Sequence, residues 1–217
     1  MSKPQATDSP RNKPLKRPRQ ARARFTVQAI YDAYVRIWQR DGWDQLTTRK
    51  VALETGIAVG TLYDYFPSKE ALHSGYVRHC IEELLQQIEE RVIIPVNLNW
   101  RQRLHGLIRH LAGLESDRTW FSPDMMRLEP VVADPRHQQR AYDELLGIWH
   151  RTLATCHDLT PTPAPETVEA LHLAVWGGRR YALHVHLDVA RVESWAAEME
   201  RFCAIALSTP ALDEPRG

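Results

Sequence analysis

The chain has 217 residues, enough to bury a proper core either as one larger domain or as a small domain joined to a larger one. Its 43% hydrophobic and 25% charged residues are those of an ordinary globular protein, and no apolar run approaches the roughly 20 residues that a membrane-spanning helix needs. Net charge is only +1, and three widely spaced cysteines, Cys80, Cys156 and Cys203, with no CxxC, speak against a disulfide framework or a zinc ribbon and fit a reducing cytoplasm.

The charge is unevenly spread. Residues 1–70 hold 13 Lys and Arg against 7 Asp and Glu, whereas the remaining 147 residues hold 15 against 20. The excess lies in KPLKRPRQARAR, where Lys13, Lys16, Arg17, Arg19, Arg22 and Arg24 sit among Pro14 and Pro18. Such a segment cannot bury enough apolar surface to fold alone, so residues 1–24 are expected to be a disordered basic arm suited to a polyanion such as DNA, or a solvated tail. No apolar core of a secretion signal follows, because Gln28, Asp32 and Arg36 interrupt Phe25 to Trp38. A cytoplasmic protein is expected.

Helical periodicity then runs through the chain with almost no strand alternation. A first helix is predicted over Thr26 to Arg40, with Val27, Ile30, Tyr34 and Ile37 on one face and Gly42 suited to a left-handed cap past its end. A short second helix follows LTT, N-capped by Thr47 or Thr48, with Val51, Ala52 and Thr55 facing inward. Gly56 supplies the positive φ of a tight turn. The third helix holds Ala58 to Tyr65, and a long fourth runs from Lys69 to about Ile93, ending before Pro95.

Two short helices joined by a three- or four-residue turn containing Gly make a helix-turn-helix, which needs small residues where the helices cross and apolar anchors on both. Ala52 and Gly56 are the small residues; Val51, Ile57, Leu62 and Phe66 are the anchors. Val59, Gly60, Thr61, Tyr63, Asp64 and Tyr65 are then left to face outward. A missing side chain at Gly60 lets a helix press into a major groove, and Thr and Tyr hydroxyls can meet phosphate oxygens. The spacing alone also fits a purely structural hairpin, and the basic arm upstream tips the balance toward DNA.

The run LTTRKVALETGIAVGTLYDYFPSKEAL, residues 46–72, resembles the signature of the TetR family of bacterial transcriptional regulators, with LTTRKVA, VGTLY and FPSKEAL in the family's order. The resemblance covers about residues 25–75. It implies an all-α fold: a three-helix DNA-binding head over residues 25–70, linked by the long fourth helix to a helical effector-binding and dimerisation domain over residues 71–217. It further implies a homodimer that binds double-stranded DNA at a palindromic operator and is released by a small molecule. Carried over position by position, Thr48 and Arg49 contact DNA from the second helix, with Arg49 a candidate for a base edge. Val59, Gly60 and Thr61 lie against the groove, Tyr63 and Tyr65 contact phosphates, and Lys69 meets phosphate from the fourth helix. Tyr65 stands where many members carry histidine. Asp64 could accept from a cytosine amino group or simply be solvated.

Beyond Asn97, helices are predicted over Trp100 to Leu114, Gln138 to Cys156, Pro165 to His186 and Val189 to Ala206. In the resemblance the last two pair with their mates across a two-fold axis. Trp195, Met199, Phe202 and Ala206 recur at helical spacing, and Gly177 and Gly178 would permit a close approach; the same stripe could face its own subunit instead. Trp120, Phe121, Met125, Met126, Tyr142, Trp149, Trp176 and Tyr181 could line a pocket for a hydrophobic or aromatic effector, with His150, His172 or Arg179 orienting it, or could be ordinary core.

Ten histidines raise the question of an enzyme, yet there is no GxG, no GxSxG elbow and no phosphate-binding loop. No two histidines lie three or four apart, and His184 and His186, two apart on a helix, point to nearly opposite sides. No catalytic residue, metal site or cofactor is expected. The alternatives to an effector-released repressor are a constitutive or architectural DNA-binding protein and, more remotely, a helical metalloenzyme.

Overall fold

A computed structural model describes residues 21–115, 121–132 and 135–209. The described residues are helical without a strand: α1 (Ala21–Gln45), α2 (Thr48–Thr55), α3 (Val59–Tyr65), α4 (Lys69–Ile88) continued by a π-helical turn (Glu89–Ile93), α5 (Trp100–Leu111), α6 (Pro123–Val132), α7 (Pro135–Ala154), α8 (Pro165–His184) and α9 (Val189–Ser208). They fall into two units, divided within α4 at His79/Cys80 and again at Arg127/Leu128 and Pro135/Arg136. No described helix is long and apolar enough to cross a membrane.

The largest departures from the sequence expectation concern α1 and α6. Helix α1 begins at Ala21 rather than Thr26, because Ala-Arg-Ala-Arg is a strong helix-forming run once Pro18 is behind it. It therefore takes in residues 21–24 of the expected arm; residues 1–20 lie outside the described residues. Gly42 interrupts α1 at φ 74°, ψ 177°, a combination that glycine alone reaches without strain. Helix α6 has no counterpart among the predicted elements, since Pro123 and Pro130 punctuate PDMMRLEPVV as if it were a loop.

In the first unit, Ile30, Ala33, Tyr34, Ile37 and Trp38 of α1 are buried with Leu46, Val51, Ala52, Leu62, Phe66 and Leu72. Aromatic rings fill much of this core: Tyr31 lies 5.7 Å from Phe66 and 5.5 Å from Tyr76, and Tyr34 lies 5.0 Å from Tyr76. Tyr34 Oη and His73 Nδ1 are hydrogen-bonded at 2.8 Å, which satisfies the phenol inside an otherwise apolar cluster.

The second unit has its own core of Ile88, Leu104, Leu107, Ile108, Leu111, Leu145, Ile148, Trp149, Leu171, Val175 and Leu207 among others. Its helix ends are closed by side chains. Arg103 of α5 donates through Nη1 to Val92 O and, at 2.9 Å, to Ile93 O, and through Nη2 to Pro95 O at 2.6 Å. One guanidinium thus satisfies the last carbonyls of the α4 extension, which a helix terminus leaves without partners. Asn99 and Gln102 form a reciprocal capping box on α5, and Asp188 caps α9 by accepting from Arg191 N at 2.8 Å.

Candidate nucleic-acid interface

The geometry of the head follows from its caps. Thr47, extended at φ −133°, accepts the Lys50 N–H through its hydroxyl and starts α2. At the other end Gly56 takes φ 75°, ψ 25°, donating to Leu53 O at 3.1 Å while Ile57 N donates to Ala52 O at 3.0 Å. That reciprocal pair of bonds is a Schellman cap, and it turns the chain within three residues into α3. Val51, Ala52 and Leu62, all fully buried, fix the two helices against each other, and Phe66, 2% exposed, closes the end of α3.

With Leu62 and Phe66 inward, the other face of α3 is outward. Val59, Gly60, Thr61, Tyr63 and Asp64 are exposed, and Tyr65 is half-buried. A Cβ built on Gly60 meets nothing within 4 Å. Glycine in a helix is unfavourable relative to alanine, and nothing inside the head requires it here. The flat place it leaves is a feature of the outer surface.

Hydroxyls and charges border this face. Thr48 Oγ1 and Tyr63 Oη, on the two different helices, are hydrogen-bonded at 3.1 Å, which holds the Tyr63 ring in one direction. Arg49 is exposed and has no partner among the described residues. The acids nearby are taken up elsewhere. Glu54 receives Arg36 at 3.1 Å and Arg40 at 3.3 Å, and Asp41 receives Arg40 at 3.0 Å with Lys50 at 3.6 Å. Hydrogen bonding by Arg40 holds the Asp41 carboxyl below its usual range, and hydrogen bonding by Arg36 does the same for Glu54. These pairs neutralise acids that would otherwise repel a polyanion, leaving Arg49 as an uncommitted cation. Lys69, half-buried, places Nζ 4.2 Å from the Trp43 ring centroid and 3.4 Å from Trp43 O, so its ammonium is held in place with donors to spare.

The eight residues singled out from the sequence therefore all lie on α2, α3 or the start of α4. What sequence reasoning missed is the Thr48–Tyr63 pairing, which needs the crossing of α2 and α3, and Leu53, 82% exposed on α2.

The residues expected to line a pocket are less gathered. Trp120 lies outside the described residues. Met125 and Trp149 are fully buried, Phe121, Tyr142 and Trp176 are half-buried, and Tyr181 is 67% exposed. Tyr142 meets His172 edge-on at 5.0 Å and donates to Glu169 at 2.5 Å. Among the described residues no group of three or more His, Cys, Asp or Glu is placed to hold a metal.

A three-helix head whose second and third helices cross through a glycine turn, presenting an outward face of small, hydroxyl-bearing and cationic side chains, defines a helix-turn-helix DNA-binding protein. Residues 23–74 match the family model for bacterial regulatory proteins of the tetR family. The nucleoid occlusion factor SlmA of Vibrio cholerae is 28% identical over 85 residues, 34% of this chain; the match spans 43% of that relative, less than half its length. Among solved structures, a TetR transcription regulator from Haloarcula marismortui superposes with a TM-score of 0.61 at 16% identity, covering 84% of this chain and 98% of that one. NemR of E. coli, in its reduced form, gives 0.62 at 15% identity over 87% and 100% of the two chains. Residues 23–74 thus carry the DNA-binding segment of the tetR family, and 84% of the chain follows the fold of a solved TetR transcription regulator.

Proposed function

We propose that the protein is a homodimeric, sequence-specific repressor that binds a palindromic operator and is released by a small hydrophobic or aromatic effector. The observation that carries the DNA half of this reading is the outer face of α3, where Gly60 has open space above it and no role in the head's own packing. In this reading Val59, Gly60 and Thr61 approach the groove. Arg49, exposed and without a partner among the described residues, reads a base edge. Thr48, Tyr63, Tyr65 and Lys69 hold phosphates, and the Thr48–Tyr63 hydrogen bond sets the register of two of those contacts.

The dimer is proposed to form through α8 and α9. Exposed apolar side chains are concentrated there: Leu173, Tyr181, Val185, Val189, Phe202 and Ile205 are 42–68% exposed. The two glycines divide in role. A Cβ on Gly178 would lie 2.7 Å from Trp195 Cζ2, so Gly178 serves packing of α9 on α8 within one chain, whereas Gly177 has nothing within 4 Å and leaves room for a second copy. Trp195 and Met199 likewise pack against their own core, while Phe202 is exposed. Phe121, Met125, Tyr142, Trp149 and Trp176 are the proposed lining of the effector pocket.

The division of labour in the head is tested by fluorescence anisotropy on an enriched specific site and on random DNA. Tyr63→Phe should weaken both alike. Arg49→Ala should also relax preference at one base pair, by about 1 to 3 kcal/mol of discrimination. Equal loss on both DNAs for both variants would remove Arg49 from the base edge.

A further inference from the structure

Near its end α1 passes through a conformation that only glycine holds without strain. Gly42 stands at φ 74°, ψ 177°, and a Cβ built on it meets nothing within 4 Å, so the backbone and not crowding requires glycine there. The residue that this bend delivers is Trp43. Its ring lies 5.6 Å from that of Trp38 and 5.6 Å, edge-on, from that of His73, both of which are buried. Two rings of the core thus fix the indole at the edge of the head, where Trp43 itself is half-buried.

Over the face of this ring sits the ammonium of Lys69. Its Nζ lies 4.2 Å from the ring centroid and donates to Trp43 O at 3.4 Å, and the same carbonyl accepts the Leu46 N–H at 3.1 Å. Trp43 therefore holds the ammonium twice, through the π-face of its ring and through its backbone oxygen. Lys69 is the first residue of α4, and Ser68 ahead of it accepts the Ala71 N–H at 3.1 Å, which fixes the start of that helix. An ammonium has three donors, so the bond to Trp43 O leaves two to face an anion. A lysine stem loses rotamer freedom whenever its head is immobilised on a phosphate. Here much of that freedom is already gone in the folded head, before any DNA arrives.

We infer that Trp43 is a positioning residue for DNA binding: it sets the Lys69 ammonium in place for a phosphate and so raises affinity for DNA of any sequence. This rests on the reading of Lys69 as a phosphate contact. Trp43 contributes order and no charge. Without its ring Lys69 still reaches its phosphate, from a mobile stem, and the number of phosphates neutralised is the same. The signature of positioning is therefore a loss of affinity with an unchanged salt dependence, whereas loss of the cation itself flattens the salt dependence.

The test measures binding of the full-length protein to fluorescein-labelled random-sequence duplex DNA by anisotropy over a series of salt concentrations, for Trp43→Leu, Trp43→Phe, Lys69→Gln and the double variant Trp43→Leu with Lys69→Gln. Ordering one long side chain corresponds to about a 2- to 10-fold change in Kd, so Trp43→Leu should bind weaker by that factor at every salt concentration, with the slope of log K against log salt kept. Trp43→Phe, which keeps a π-face, should lose less. Lys69→Gln should lower the slope by about 0.9 for each phosphate contact removed. In the Lys69→Gln background Trp43→Leu should cost no further affinity, because the group it positions is gone. An equal loss from Trp43→Leu with and without Lys69 would show a merely structural role and overturn the inference. Unchanged affinity in Trp43→Leu would overturn it too, and so would a gain, which would mean that the ring holds the ammonium back from DNA. If Trp43→Leu loses its helical signal in circular dichroism, the same cycle is run with Trp43→Phe, whose smaller ring holds the ammonium more weakly; a loss confined to the Lys69 background supports the inference, and an equal loss or no loss in both backgrounds overturns it. An unchanged slope in Lys69→Gln would instead remove Lys69 from the phosphates, and with it the reading on which the positioning rests.

Discussion

Replacing Gly60 with alanine separates what the head needs to fold from what it needs to bind. The added Cβ meets nothing within 4 Å, so no packing term opposes it. Alanine is favoured over glycine in a helix by up to about 1 kcal/mol, less in a first turn such as this one. For a chain of this size each kcal/mol shifts the melting temperature by about 2–4 °C, so Gly60→Ala should melt at the parent's temperature or up to about 4 °C higher. The same methyl on a face pressed into a groove acts as overpacking, which costs about 1–3 kcal/mol. Affinity for specific DNA should therefore fall roughly 5- to 150-fold. Differential scanning calorimetry and anisotropy titration on the same preparation read both effects. A lower melting temperature would mean that the Cβ collides inside the head, and unchanged DNA affinity would take the outer face of α3 out of the interface.

Phe202→Glu should give a folded but monomeric protein by circular dichroism and sedimentation, with operator binding largely lost; a variant that remains dimeric and binds normally would move the interface away from α9. Burial pushes the Cys156 thiol up to about 11 and the Cys203 thiol up to about 12 from the usual 9.0. Both thiols favour the neutral form in the folded state, so their contribution to stability is intact below about pH 9 and is lost as pH rises through these values. Iodoacetamide at pH 8 should therefore modify half-buried Cys80 first, and early modification of Cys203 by mass spectrometry would contradict its burial. Burial also draws the His172 pKa below 6.5, with Glu169 opposing. The neutral imidazole is the folded form, so stability is present above pH 6.5 and declines as pH falls below it. Replacement of His172 by glutamine should flatten that decline in thermal melts, and an unchanged slope would assign it to other groups.

The head was legible because its information is local. A threonine cap at 47 or 48, Gly56 as a left-handed turn and the inward set Val51, Ala52 and Leu62 each follow from residue type and spacing within a dozen positions, and the structure selects Thr47 as the cap. Features that depend on two elements at once are not legible in the sequence. The spacing of Trp195, Met199 and Phe202 identifies a stripe on α9 but not its partner, and it is the packing of Trp195 over Gly178, where an added Cβ would lie 2.7 Å from Cζ2, that assigns part of the stripe to its own chain. Helix α6 was hidden by its prolines.

The central claim, that this protein reads DNA through paired heads, is tested most directly by selection from random double-stranded DNA with the purified full-length protein, followed by sequencing of what is retained. The account predicts one enriched motif made of two inverted half-sites, centred about one helical turn apart or a multiple of it, with its preference at one base pair of each half-site relaxed when Arg49 is replaced by alanine. Retention without an enriched motif, or a motif with no internal symmetry, would contradict it.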